Sequence, residues 1–270
     1  MKNQLSESRI IITGASSGIG RALAVELAKE GARLLVTARR TENLEALVQE
    51  VRTRFQTKIE MVSGDIACPE TCCRVVQAAV ERFGGIDILI NNAGVGATLP
   101  VAQTSPEIAD RLFQVNFFGT LNMIRLAVPE LKKSGQEQHP AKKCRPMIVN
   151  LSSIVGVRGT PHYGVYGAAK GAVIVLSDAL RAELAADGID VLTVSPGTTS
   201  SEFFDVLLEN RSMPGFPAHR VKTPERVARE IVTAMKRRKH RIIPHAESGI
   251  LNILVRCCPG FVDWFMSKFA

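Results

Sequence analysis

Short runs of isoleucine, valine and leucine alternate with amphipathic stretches along nearly the whole chain, and this alternation limits the possible folds more than any other feature. The pattern predicts strands over Arg9–Thr13, Arg33–Ala38, Lys58–Val62, Ile86–Ile90, Met147–Leu151, Ile189–Val194 and His240–Pro244. They are short, continuous and rich in branched residues, as strands covered on both faces must be. Helical patterns fill the gaps. In Gly18–Glu30, Ile19, Leu23 and Leu27 recur every four residues. Thr41–Phe55, Pro69–Phe83, Pro106–Leu131, Tyr163–Ala186 and Pro224–Arg237 follow. Ser105-Pro106 and Thr223-Pro224 read as helix starts, each an N-cap with proline in the first turn. Such alternation implies an α/β fold: a doubly wound parallel sheet of about seven strands with helices on both faces.

The chain has 270 residues, 46% of them hydrophobic, enough for one sizeable core. We therefore expect a single domain over residues 1–246. The polar, basic stretch 132–146 reads as a surface loop. Residues 198–221, long for a loop and holding Pro214, Gly215 and Pro217, read as a lid. Residues 247–270 read as an amphipathic helical extension. No segment reaches the roughly 20 uncharged apolar residues of a membrane span. Met1 to Arg9 is polar without an apolar signal core, so a cytoplasmic location is expected. The six cysteines include no Cys-x-x-Cys and no His/Cys cluster, so neither a metal site nor a disulfide framework is expected. A net charge of +8 suits an anionic partner: a phosphorylated cofactor, a membrane surface or nucleic acid. Without zinc-finger spacing or an RNA-binding aromatic signature, nucleic acid is not expected.

The first strand runs through Thr13-Gly14-Ala15-Ser16-Ser17-Gly18-Ile19-Gly20 straight into the first helix. This is a dinucleotide turn in physical logic, with a Rossmann-like context. Gly14 permits the tight turn, Gly18 the approach of a pyrophosphate, and Gly20 close helix–strand packing. The helix N-terminus then offers free N–H groups to phosphate. A site for NAD wants an acid at the end of the second strand to bond the ribose 2′-hydroxyl. That strand instead continues Ala38-Arg39-Arg40. A guanidinium there can clamp a 2′-phosphate, which favours NADP(H); the bland alternative is two solvated arginines. Further on, Tyr166 and Lys170 stand four residues apart and share a helix face. An ammonium beside the phenol lowers its pKa and suits it to proton transfer.

These motifs, with Asn91-Asn92-Ala93-Gly94, Asn116 in Val115-Asn116-Phe117, Ser152-Ser153 and Ser195-Pro196-Gly197, resemble the short-chain dehydrogenase/reductase family over Arg9 to about Pro244. The resemblance implies Tyr166 as acid/base, with Lys170 lowering its pKa and holding the nicotinamide ribose. It implies Ser153 as the residue orienting the reacting oxygen. Asn116 would bend its helix and help hold a proton-relaying water. For NADP(H) it implies contacts from Gly14, Ser16, Ser17, Gly18, Ile19 and Gly20, and from Asp65 and Ile66 at the adenine. Asn92, Ala93 and Gly94 would line the ribose, and Pro196, Gly197, Thr199 and Ser201 the nicotinamide, beside Arg39 and Arg40 at the phosphate. The loop Thr198-Thr199-Ser200-Ser201 departs from the family's usual hydrophobic-x-Thr. A homodimer or homotetramer is also implied.

Val155, Tyr163, Ser153 and Tyr166 form the expected substrate side, and Phe203, Phe204, Leu207, Leu208, Met213 and Phe216 populate the lid. Such a pocket suits a hydrophobic ketone or alcohol. His162 reads as a surface or pocket-rim residue rather than a catalyst. In the tail, Ile250, Ile253, Leu254, Cys257 and Cys258, then Val262, Phe265, Met266 and Phe269, follow helical spacing either side of Pro259-Gly260. The basic run Lys236-Arg237-Arg238-Lys239-His240-Arg241 lies upstream. Packing on the body, on a second subunit, or on an anionic membrane surface all remain open for this tail. The reading is an NADP(H)-dependent oxidoreductase. A non-catalytic NADP(H)-binding sensor or scaffold on the same fold is the alternative.

Overall fold

The computed structural model describes residues 5–136, 144–200, 207–210, 221–244 and 257–269. Seven strands form one parallel sheet in the order β3-β2-β1-β4-β5-β6-β7. They are β1 (Arg9–Thr13), β2 (Arg33–Ala38), β3 (Ile59–Ser63), β4 (Ile88–Asn91), β5 (Met147–Leu151), β6 (Asp190–Val194) and β7 (Arg241–Ile242). β1 pairs with β2 on one side (Ile10 opposite Leu34) and with β4 on the other (Ile10 opposite Ile88). The order reverses there, and the crevice beyond the carboxyl ends of β1 and β4 is where such sheets bind ligands.

The strands are covered by α1 (Gly18–Lys29), α2 (Thr41–Phe55), α3 (Pro69–Phe83), α4 (Pro106–Phe113), α5 (Gly119–Gln136), α6 (Ile154–Val157), α7 (Gly164–Glu183) and α8 (Pro224–Lys236). A ninth helix, α9 (Pro259–Met266), lies in the tail. Because alternate strand residues point to opposite faces, two cores form. Ile10, Ile12, Leu34 and Val36 pack with Leu23, Leu27, Leu47 and Ile231. Ile11, Leu35, Leu89 and Ile148 pack with Val75, Met123 and Leu180. Ser105 and Thr223 cap α4 and α8 by accepting the N–H groups of Ile108 and Arg226.

Two expectations change. The predicted helix over Pro106–Leu131 is two helices joined by a π-turn at Gln114–Phe118, and the second continues to Gln136. The expected loop 132–146 therefore starts later, and its residues 137–143 lie outside the described residues. In the tail the helical run breaks at Cys258, and Pro259 opens α9, as proline in a first turn can. In the basic run, Lys236 pairs with Glu30 at 2.7 Å and Arg238 with Asp190 at 2.6 Å, both at the amino ends of strands. α9 instead meets Arg158, beyond the carboxyl end of β5. The cations and the apolar tail thus sit at opposite ends of the sheet. Among the described residues no helix is long and apolar enough to cross a membrane.

Candidate active site

The turn after β1 is built for close approach. Gly14 has φ +68°, and a Cβ there would lie 2.6 Å from Ala93 Cα. A Cβ on Gly20 would lie 2.3 Å from the Gly14 carbonyl oxygen. Thr13 Oγ1 accepts the N–H groups of Asn92 and Ala93, each at 3.0 Å. Asn92 Nδ2 in turn donates to the carbonyls of Thr13 at 2.9 Å and Gly14 at 3.0 Å. The Asn92 amide is therefore used in stitching two loops together, and what it offers the crevice is backbone. Ser17 takes the N-cap of α1 without a side-chain cap bond, so the first-turn N–H groups, Ile19's included, face the crevice with the helix dipole.

At the end of β2 the two arginines diverge. Arg40 brings Nε and one Nη within 3.4 Å of Ser16 Oγ. Asn43, which the sequence did not single out, donates to the Ser16 carbonyl at 3.3 Å. Arg39 is exposed, and its charge acts on Asp65. Burial alone would raise the Asp65 pKa, but Arg111, the Ala67 N–H at 3.0 Å and Arg39 together hold the carboxylate below its usual range. Arg111 pairs with it directly from α4. No local pattern announces Asn43 or Arg111. Ile66 is buried, its carbonyl accepting from Cys72 Sγ at 3.2 Å.

Across the crevice, β5 delivers Ser153 and α7 delivers Tyr166 and Lys170. Ser153 caps the one-turn helix α6, which the sequence pattern left unseen. It also hydrogen-bonds the Tyr166 hydroxyl. Gly156 makes the meeting possible: a Cβ there would stand 2.7 Å from the Lys170 backbone carbon, so α6 and α7 touch backbone to backbone. Lys170 is 4% exposed, and Nζ donates to the Leu151 carbonyl at 3.0 Å. Ser152 Oγ, facing away from Ser153, donates to the Lys170 carbonyl at 2.7 Å. Asn116 lies in the π-turn, fully buried. Its Nδ2 donates to the carbonyls of Val95 and Leu112, each at 2.8 Å. A Cβ on Gly94 would fall 2.7 Å from Asn116 Oδ1 and 3.2 Å from Lys170 Nζ, so bare backbone separates the amide from the ammonium.

Electrostatics corrects one expectation. Burial pushes the Tyr166 phenol well above free tyrosine; the Ser153 hydrogen bond opposes this and the neighbouring Tyr163 adds to it. The Lys170 ammonium, turned to the Leu151 carbonyl, does not offset the burial. Lys170 itself is brought down to about 8 by burial, so it remains charged at neutral pH. The ligand-free site thus holds a neutral phenol and an ammonium rather than a tyrosine already lowered.

Pro196 accepts the Ile154 N–H at 2.9 Å, placing the Pro196-Gly197 turn beside Ser153. Thr199 Oγ1 donates to the Gly197 carbonyl at 3.2 Å. On the substrate side the Tyr163 and Tyr166 rings lie 6.4 Å apart, and Val155 packs against the same core. Leu99 N–H donates to the His162 carbonyl at 2.8 Å, and Leu208 N–H to the Gly96 carbonyl at 2.8 Å, joining three loops into a rim. Ser201, Phe203, Phe204, Met213 and Phe216 lie outside the described residues, as do Ile250, Ile253 and Leu254 of the tail.

Comparison with known proteins agrees with this fold. The pattern described as short chain dehydrogenase matches residues 8–212. The chain belongs to the short-chain dehydrogenase family. An uncharacterized oxidoreductase of Listeria monocytogenes is 33% identical over 84% of this chain and 89% of its own. An 11-beta-hydroxysteroid dehydrogenase-like protein of Arabidopsis thaliana is 29% identical over 95% of this chain and 80% of its own. The crystal structure of a short chain dehydrogenase/reductase from Burkholderia phymatum, in complex with NAD, superposes with a TM-score of 0.83. It is 24% identical, covers 94% of each chain, and supports the fold. The Ser153, Tyr166, Lys170 and Asn116 side chains gather beyond the carboxyl ends of β4 and β5.

Proposed function

We propose that this short-chain dehydrogenase is an NADP(H)-dependent oxidoreductase acting between a carbonyl and a secondary alcohol of an apolar substrate, with Tyr166 as acid/base. The observation that carries the reading is the hydrogen bond between Ser153 and a buried, protonated Tyr166 in the crevice, with the Lys170 ammonium in the same turn of α7. When bound, the nicotinamide supplies or accepts the hydride. In reduction, Ser153 orients the substrate oxygen and Tyr166 gives it a proton as negative charge develops there. In oxidation the same phenol takes the alcohol's proton. Lys170 and the backbone at Gly94 and Pro196 are the groups that would hold the nicotinamide ribose and ring, and the Gly14–Gly20 turn the pyrophosphate. Val155 and Tyr163 support an apolar substrate, as does the steroid dehydrogenase name of the Arabidopsis relative. Exposed Val175 on α7 and Phe118 before α5 offer an apolar face for the proposed homo-oligomer. A cytoplasmic location goes with this reading.

The preference for the phosphorylated cofactor rests on Arg40 over Ser16 and on the lack of an acid at the end of β2. Arg40→Asp is expected to lower kcat/KM for NADPH by roughly 10²-fold, because a paired guanidinium becomes a like charge facing phosphate. NADH should be affected far less. Steady-state rates with both cofactors decide this, and an unchanged NADPH/NADH ratio would remove the clamp. The oxidoreductase reading itself is tested by following the reduced cofactor's absorbance over a panel of apolar ketones, with turnover as the expected result.

A further inference from the structure

A row of polar side chains crosses the sheet near the carboxyl ends of its central strands, in a core that is otherwise apolar. On the face covered by α7, Leu89, Ile148 and Val191 lie side by side on β4, β5 and β6. Two residues on, where each strand presents the same face again, the row is Asn91, Asn150 and Thr193. All three are buried, Asn150 completely. Asn91 Nδ2 donates to Asn150 Oδ1 at 2.9 Å, and Asn150 Nδ2 donates to Ser177 Oγ of α7 at 2.9 Å. Ser177 Oγ passes its own hydrogen to the Val173 carbonyl at 2.7 Å. Asn150 is also the first of four consecutive residues through which β5 and the turn after it hold α7. The Leu151 carbonyl accepts Lys170 Nζ, Ser152 Oγ donates to the Lys170 carbonyl, and Ser153 meets the Tyr166 hydroxyl. Tyr166, Lys170, Val173, Ser177 and Leu180 make up one buried face of α7.

Apolar contacts such as those of Ile148 and Leu180 press α7 onto the sheet, but they are non-directional and resist sliding weakly. A slip of one helical residue is about 1.5 Å, enough to break a hydrogen bond. A buried amide bonded at both ends resists that slip, because moving the helix leaves its polar atoms unpaired. We infer that Asn150 and Ser177 are positioning residues that set where α7 sits along β5, and so bring the Tyr166 hydroxyl and the Lys170 ammonium to the reacting oxygen beside Ser153. The inference rests on the oxidoreductase reading above. Ser177 follows Tyr166 by eleven residues, roughly 16 Å along the helix axis, so it acts on the proton step only through the helix.

Asn150→Leu, close in volume but unable to hydrogen-bond, is expected to lower kcat on the best ketone of the panel by about tenfold or more, with the NADPH dissociation constant within about threefold. Ser177→Ala is expected to cost about fivefold, and the double variant to be no slower than Asn150→Leu, since both changes cut one link. Leu180→Ala, on the same face of α7, controls for plain loss of stability. It should lower the melting temperature at least as far as Ser177→Ala does, yet hold kcat within about twofold. The placing of the phenol is read without turnover in a Tyr163→Phe background with saturating NADP⁺. There Ser177→Ala should raise the Tyr166 phenolate titration by about half a pH unit or more, because a displaced phenol loses the Ser153 hydrogen bond that favours its anion. Leu180→Ala should leave that titration in place. A kcat that falls in step with melting temperature across the variants, Leu180→Ala included, or a titration unmoved by Ser177→Ala, would overturn the inference. Should Asn150→Leu not fold, Ser177→Ala and Leu180→Ala carry the comparison between them. Failure of the underlying reading looks different. A wild-type protein that reduces no ketone, while its phenolate titration still responds to Ser177→Ala, would support the placing of Tyr166 by this link and remove the catalysis it serves.

Discussion

Replacing Tyr166 by phenylalanine is expected to reduce kcat by about 10³-fold or more while leaving the NADPH dissociation constant nearly unchanged, the effect of removing a positioned general acid. The phenol is the proton source bonded to Ser153, and its burial keeps it protonated. The ring remains, so packing with Tyr163 and the second core is preserved. Ser153 can still orient the oxygen, but its hydroxyl is too weak an acid to replace the phenol and it carries no charge to stabilise an alkoxide. Steady-state kinetics on the best ketone of the panel, together with a cofactor titration, check this. Turnover that survives the substitution would mean that another group supplies the proton, and would remove Tyr166 from the mechanism.

The second large effect is spectroscopic. The chain has two tyrosines, and both lie in the site. In a Tyr163→Phe protein the phenolate absorbance belongs to Tyr166 alone. Without ligand no phenolate is expected at the pH where free tyrosine ionises, because burial disfavours the anion. Saturating NADP⁺ should bring the titration down by roughly 2–3 units, since positive charge arriving beside a buried phenol favours its ionised form. The sign is the point of the experiment. Lys170, with its own pKa near 8, remains cationic over the lower part of that range and can add to the shift once its ammonium faces the crevice. A phenolate already present at pH 7 in the ligand-free protein would show instead that Lys170 alone lowers the tyrosine.

These effects mark where sequence reasoning reached and where it stopped. Arg9–Thr13, Arg33–Ala38 and Met147–Leu151 are strands with the bounds their apolar runs suggest, since glycine, proline, serine or charge closes each end. The glycine turn was equally legible, because Gly14 and Gly20 are needed for contacts with the immediately adjoining loops. The π-turn at Gln114–Phe118 was not, since one extra residue in a helix leaves the apolar period almost unchanged. Spacing put Tyr166 and Lys170 on one face but said nothing of the Leu151 carbonyl that draws the lysine away. Adjacent Arg39 and Arg40 looked equivalent, yet one reaches Ser16 and the other acts on Asp65. The tail reads as amphipathic from its sequence, but its Arg158 partner lies about a hundred residues upstream and no local rule finds it.

The most direct test of the account is transfer of label. The protein is incubated with NADPH carrying deuterium at both C4 positions and with the panel of apolar ketones, and the products are read by mass spectrometry. The account predicts one deuterium on the carbinol carbon of a product alcohol, formed by the wild-type protein and nearly absent with Tyr166→Phe. Tight NADPH binding with no deuterium in any alcohol across the panel would contradict it, and would make this chain a cofactor-binding protein that has kept the residues of an enzyme without the reaction.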